Sequence, residues 1–153
     1  MKKKIIIWVV VAIVLFGMLI QLVPLPGRGN NPPVTAEPKW DSPQTRALVQ
    51  RACFDCHSNE TVWPWYSNLA PVSWLLASDV KEGRSHVNFS TWGTYSSEAQ
   101  SHKLANIAEE VRGADMPPWY YTLVHPEARL SPSERTSVAD WAEVASRLQP
   151  PRQ

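Results

Sequence analysis

The chain is short of three things. It has two cysteines in 153 residues, only 19% of it is charged, and no stretch beyond the N-terminal segment alternates apolar and polar residues long enough to argue for a strand. Two cysteines cannot staple a disulfide scaffold, so the core must come from packing or from a cofactor. The charged share falls below the roughly 25% usual in soluble proteins. Lys+Arg number 15 and Asp+Glu 14, and setting aside Lys2, Lys3 and Lys4 leaves 12 bases against 14 acids. A mildly acidic body of this kind has no electrostatic footprint for nucleic acid. Without strands the expected class is all-α. Methionine is scarce as well: past Met18 there is only Met116.

What is present begins with a long apolar run. Ile5 to Val23 contains no charge and one polar side chain, Gln21. At 1.5 Å per residue such a helix spans about 28 Å, close to the ~30 Å of bilayer hydrocarbon. The three preceding lysines keep the N-terminus cytoplasmic and send the rest outward. The competing reading is a cleaved signal peptide, whose apolar region is shorter and ends in a small-x-small site, a pattern that Gln21 to Pro26 lacks. Both readings export the body, and an uncleaved anchor is expected. Residues 24–40 hold Pro24, Pro26, Pro32, Pro33 and Pro38 with Gly27 and Gly29, which reads as an extended tether. The expected organisation is a transmembrane helix over 1–23, a tether over 24–40 and a helical domain over 41–153.

Four helices are legible in the body. Ser42-Pro43 opens the first, through about Ala52, with Ala47, Leu48 and Ala52 on one face. A second runs from Pro71 to Glu82, ended by Gly83. A third starts near Ser97, where Ser97 and Gln100 have capping-box spacing, carries Leu104, Ile107, Ala108 and Val111, and stops at Gly113. The last opens at Ser131-Pro132-Ser133-Glu134 and bears the stripe Val138, Trp141, Ala142, Ala145, Leu148.

The chemistry sits in Cys53-Phe54-Asp55-Cys56-His57, the C-x-x-C-H attachment signature of c-type haem. Two thiols three residues apart on one helical turn can both reach vinyl groups along one porphyrin edge, and the following imidazole can ligate the iron. A zinc site would need a further close Cys or His pair, and His86, His102 and His125 are scattered singly. A thioredoxin-like pair would need a strand-helix setting. Asp55 reads as a solvated residue. For the second axial position Met116 is favoured, in the proline-stiffened stretch Gly113-Ala114-Asp115-Met116-Pro117-Pro118-Trp119, with His86, His102 and His125 as alternatives; His/Met ligation suits electron transfer. Trp63, Pro64, Trp65 and Tyr66 follow the signature and read as a wall for the macrocycle. Arg84, Asn88 and Trp92 carry donors that could hold propionates. Asn59-Glu60-Thr61 and Asn88-Phe89-Ser90 match glycosylation acceptors without implying modification.

The C-x-x-C-H motif, the Met-Pro loop and a closing amphipathic helix together resemble class I cytochromes c. More narrowly, Cys53 to His57 with Ser58-Asn59-Glu60-Thr61, Trp63-Pro64-Trp65-Tyr66-Ser67, Gly83-Arg84, Asn88-Phe89-Ser90-x-Trp92, Met116-Pro117 and His125-x-x-Ala128 is similar to the bacterial haem-binding domain family of membrane-anchored monohaem proteins. That resemblance covers residues 40–150. It implies a small cytochrome c-like helical domain around one covalent haem c, ligated by His57 and Met116, facing the periplasm from the inner membrane. It also implies a carbonyl near Ala70-Pro71 that accepts the Nδ1 proton of His57. Three functions compete: a carrier passing single electrons between redox proteins of a respiratory chain, a haem-based redox or gas sensor, and a haem peroxidase. The carrier, not an enzyme, is the leading expectation.

Overall fold

The computed structural model describes residues 2–23 and 29–149. The described residues fold into six α-helices: α1 Lys2–Ile20, α2 Pro43–His57, α3 Val72–His86, α4 Ser97–Gly113, α5 Trp119–Val124 and α6 Pro132–Arg147. Short 3-10 turns at Trp65–Asn68, Trp92–Thr94 and Pro126–Ala128 connect them. Among the described residues the only strand-like pairing is one isolated parallel bridge, Ala36 with Thr91, so the all-α expectation holds.

Helices α2, α4 and α6 begin where a serine side chain takes an orphan amide. Ser42 Oγ accepts from the Thr45 amide at 3.0 Å, and Pro43 fills the first helical position, where an amide is dispensable. Ser131 and Glu134 form a reciprocal capping box at the start of α6. For α4 the cap is Ser96, one residue before the expected position, and its Oγ accepts from the Ala99 amide. Two expected stops are wrong. Helix α2 continues past Ala52 to His57, so the whole C-x-x-C-H motif is helical. Helix α3 starts at Val72 and runs through Gly83 to His86. Gly113 is the last residue of α4, and Ala114 takes the left-handed turn after it, with φ 68°.

Helices α4 and α6 pack along their lengths, burying Leu104, Ala108 and Val111 against Val138, Ala139 and Ala142. Helix α2 contributes Val49, Ala52 and Phe54 to the same core, with Ala47 exposed instead of inward. Leu148, expected at the end of the α6 stripe, is the helix cap and lies exposed. The aromatic residues of the core form a cluster. Phe89 stacks on Phe54 and Trp92, and Trp40 stacks on Trp141 at 4.6 Å between centroids.

Residues 30–40 differ from a free tether. The chain there is extended, as its prolines demand, yet it lies on the body. The Thr35 amide donates to Ser90 O at 2.8 Å, the Trp92 amide to Ala36 O at 3.0 Å, and Asn59 Nδ2 to Pro33 O at 3.0 Å. Glu37 accepts from Arg46 and from Trp40 Nε1. Loop groups left over from the turns supply the partners that a ladder would otherwise supply. The first part of the expected tether, residues 24–28, lies outside the described residues.

Candidate functional site

A cavity of about 350 Å³ opens between α2, α3, α4 and the segment leading into α5. Cys53, Cys56 and His57 line it from α2, and Met116 with Pro117 and Pro118 lines it from the segment before α5. Val49, Phe89, Ile107, Val111 and Val138 supply apolar wall, while Glu82, His86, Asn106 and Glu110 sit at its exposed edge. A mostly apolar concavity with a few convergent polar groups is the usual form of a cofactor site.

The helical path of α2 places the motif. Cys53 and Cys56 lie three residues apart on one turn, and both are unpaired thiols on the cavity wall. Burial, helped by the neighbouring Cys56, pushes the Cys53 thiol up to about 12. Burial, then the charges of Asp79 and Asp55, pushes Cys56 to about 12 against an opposing pull from Arg84. Thiols of this kind stay protonated at neutral pH and are poor thiolate nucleophiles, which argues against a dithiol redox pair.

His57 is oriented by carbonyls. Its Nδ1 lies 2.9 Å from Gly83 O and 3.2 Å from Val87 O. Carbonyl oxygens only accept, so Nδ1 carries the proton and Nε2 keeps a free lone pair. Burial holds the imidazole below its usual value despite those two hydrogen bonds, which keeps it neutral. The orienting carbonyl expected near Ala70-Pro71 is therefore Gly83, one helix further on. Gly83 has a second duty there. A Cβ on it would lie 2.5 Å from Cys56 O and 2.9 Å from Cys56 C, so only glycine lets α3 approach α2 at the motif.

The cavity collects Cys53, Cys56, His57 and Met116 but not the other expected residues. Trp63 donates its indole N–H to Asn31, Trp65 is 75% exposed, and Tyr66 pairs its hydroxyl with His125 Nε2 at 2.6 Å. Arg84 spends its guanidinium on Ser58 O, Asn30 O, Asn31 and Thr61, clamping the N-terminal segment to the end of α2. Asn88 bonds Asn59 and the Ser90 amide, and Trp92 is core. None of these lines the cavity; Arg84 and Asn88 serve loop groups instead, Trp63 and Tyr66 pair with other side chains, and Trp92 fills the core. Among the alternative histidines, His125 is engaged by Tyr66, Glu127 and a stacked Tyr121, and His102 is exposed on α4. His86 is on the cavity edge, one turn beyond Gly83.

Three residues outside the expected site set matter here: Asp55, Tyr121 and Arg135. Asp55, expected to be merely solvated, accepts from the Tyr121 hydroxyl at 2.7 Å and from the Val62 amide at 2.8 Å. It thereby ties the motif helix to α5, and Tyr121 lines the cavity. Burial, then the Asp55 hydrogen bond and charge, raises the Tyr121 phenol and keeps it a donor. The available signal was position: Asp55 is the polar one of the two residues between the cysteines, and it lines the same cavity as they do. Across the cavity, Arg135 donates to Met116 O at 2.8 Å and the Met116 amide donates to Glu110 O, which fixes the backbone at Met116.

The residues present fit a haem group. Two free thiols, a neutral imidazole with an available Nε2 and a thioether all face one apolar cavity, a donor set suited to a porphyrin and its iron. Comparison with known proteins agrees. A family model described as a haem-binding domain matches residues 15–144. No curated protein and no solved structure matches the chain. With most of its length matched and a cavity of this chemistry, the chain belongs to the haem-binding domain family and is a haem-binding protein.

Proposed function

We propose that the chain is a membrane-tethered, single-haem c-type cytochrome of the bacterial periplasm, an electron carrier and not an enzyme, that passes single electrons between redox proteins of a respiratory chain. The observation that carries this reading is the convergence of Cys53, Cys56, His57 and Met116 on one cavity. Bound there, haem c supplies a one-electron iron couple. Cys53 and Cys56 would hold it covalently through thioether bonds, His57 Nε2 and the Met116 thioether would ligate the iron, and the apolar walls exclude water. A methionine whose backbone is fixed on both sides favours a closed, six-coordinate site, as a carrier needs and a peroxidase or gas sensor does not.

The proposed location rests on α1. Lys2–Ile20 is an apolar helix of 19 residues with no buried side chain, long enough to cross a bilayer. Lys2, Lys3 and Lys4 orient it with the body outside the cytoplasm. The test is expression with cytochrome c maturation machinery. The native chain is expected to carry haem that survives acid-acetone extraction and gives a c-type pyridine haemochrome. Cys53→Ser with Cys56→Ser is expected to lose all extraction-resistant haem; a double variant that retains it overturns covalent attachment.

A further inference from the structure

The outer end of α1 does not hang free of the body. Gln21, the one polar side chain of the apolar run, donates through Nε2 to Ala70 O at 3.1 Å and accepts at Oε1 from the Ala70 amide at 2.9 Å. This reciprocal pair spans 49 residues of sequence and puts the segment around Ala70 at the level where α1 ends. The same segment has an unusual surface. From Thr61 to Ser78 there is no Asp, Glu, Lys, Arg or His. Within it Trp65 is 75% exposed, Leu69 47%, Val72 44% and Leu75 53%. These four sit on the 3-10 turn, its cap and the first turn of α3, immediately on either side of Ala70. Soluble surfaces scatter single apolar residues, but a charge-free run that exposes this many is the mark of an interaction face.

We infer that this face, Trp65, Leu69, Val72 and Leu75, rests in the headgroup region of the phospholipid bilayer that α1 spans; the inference rests on the reading of α1 as a membrane span. Three observations select lipid over a protein partner. The face is continuous with the end of the membrane helix through Gln21 and Ala70. Insertion costs little, because no charged group in the run must be desolvated. Tryptophan beside aliphatic residues is the composition that settles at the membrane–water boundary. Since α3 also carries Gly83, which packs on the Cys56 backbone, docking here holds the haem cavity at one height and orientation above the membrane.

The experiment uses the full haem-loaded chain in vesicles of phosphatidylethanolamine and phosphatidylglycerol, with a nitroxide label on single added cysteines. Leu69→Cys reports the face, Ile13→Cys reports the middle of α1, and Val144→Cys reports an exposed apolar position of α6. Oxygen, which concentrates in lipid, and a water-soluble nickel chelate relax each label. The label at 69 is expected to respond more to oxygen than to nickel, like that at 13, while the label at 144 responds more to nickel. Nickel access at 69 with oxygen preference at 13 means the body stands clear of the bilayer and overturns docking alone. A label at 69 shielded from both reagents means a protein covers the face, which also overturns it. Nickel access at 13 would remove the membrane span itself.

Discussion

The two walls of the haem cavity are built differently. On the α2–α3 side the contacts are short, buried and made by backbone: Gly83 meets Cys56 without a side chain between them, His57 Nδ1 donates to Gly83 O and Val87 O, and the Phe89 amide donates to His57 O at 2.8 Å. On the Met116 side the proposed second ligand lies in a short connection between α4 and the six-residue α5, whose Trp119, Leu123 and Val124 are exposed. Its restraints are the Glu110 and Arg135 hydrogen bonds to the Met116 backbone and the Tyr121–Asp55 bond beyond. One wall is inseparable from the core. The other is a lightly packed arm with its backbone pinned. The difference suits the proposed chemistry, since a covalent attachment site must not move, whereas a thioether ligand needs only to be kept within reach.

The largest effect is expected where the first wall has no slack. Gly83→Ala would gain up to about 1 kcal/mol of helix propensity at an unstrained site. Here the new methyl meets backbone at 2.5 Å, and backbone cannot rotate away. Overpacking of this kind costs about 3 kcal/mol, so the net sign is destabilising. Thermal unfolding of the haem-loaded protein is expected at a lower temperature than the native, with an altered absorption spectrum if His57 ligates the iron as proposed. An unchanged or raised melting temperature would show that the two helices do not approach so closely.

That same position marks the limit of sequence reading. The helices were legible because their signals are local: Ser42-Pro43 and Ser131-Pro132-Ser133-Glu134 are caps whatever surrounds them, and the stripe through Leu104, Ala108 and Val111 needs only a core to face. The C-x-x-C-H motif was legible because Cys53, Cys56 and His57 fall within one turn and a half of helix. Gly83 was not, because a glycine that ends a helix and a glycine that lets another helix in look alike until the partner, 27 residues away, is known. Trp63, Trp65, Arg84 and Trp92 were misplaced for the same reason. Aromatic and cationic side chains near a motif can serve the ligand, the core or a neighbouring carbonyl, and the choice depends on long-range packing. Residues 30–40 show the complement: composition fixes an extended chain, but whether it is free depends on unpaired groups at Asn59, Arg84 and Ser90.

The second wall predicts a smaller structural effect and a larger functional one. Met116 is half-buried against the core, so Met116→Ala is expected to cost on the order of 2 kcal/mol of stability by lost packing. Its haem should stay attached, since Cys53 and Cys56 are untouched. The midpoint potential is expected to fall, and the reduced protein to bind carbon monoxide, as His/Met ligation gives way to an open position. An unchanged spectrum and potential would mean that another residue caps the iron, and His86 on the cavity edge would be tested next.

The smallest effect separates the walls by pH. Glu37 reaches from residues 30–40 to α2, where Arg46 donates to both of its oxygens and Trp40 Nε1 donates to one. The Arg46 hydrogen bonds, against a burial penalty and with help from Trp40 and the Arg46 charge, hold the carboxyl below its usual value of 4.5. A carboxyl whose folded value is depressed stabilises the protein above its unfolded value and loses that contribution as pH falls through the folded one. With both partners partly exposed the contribution is about 1 kcal/mol or less. Glu37→Gln is therefore expected to melt slightly below the native protein at pH 7, and the two curves should converge as acid protonates the native Glu37. The Met116 backbone itself is held by a carbonyl acceptor and an arginine donor, neither of which titrates in this range. Carbon monoxide access to the reduced Glu37→Gln protein should then match the native at pH 7. A variant that admits carbon monoxide at pH 7 would instead couple the two walls, and the methionine arm would no longer count as separately restrained.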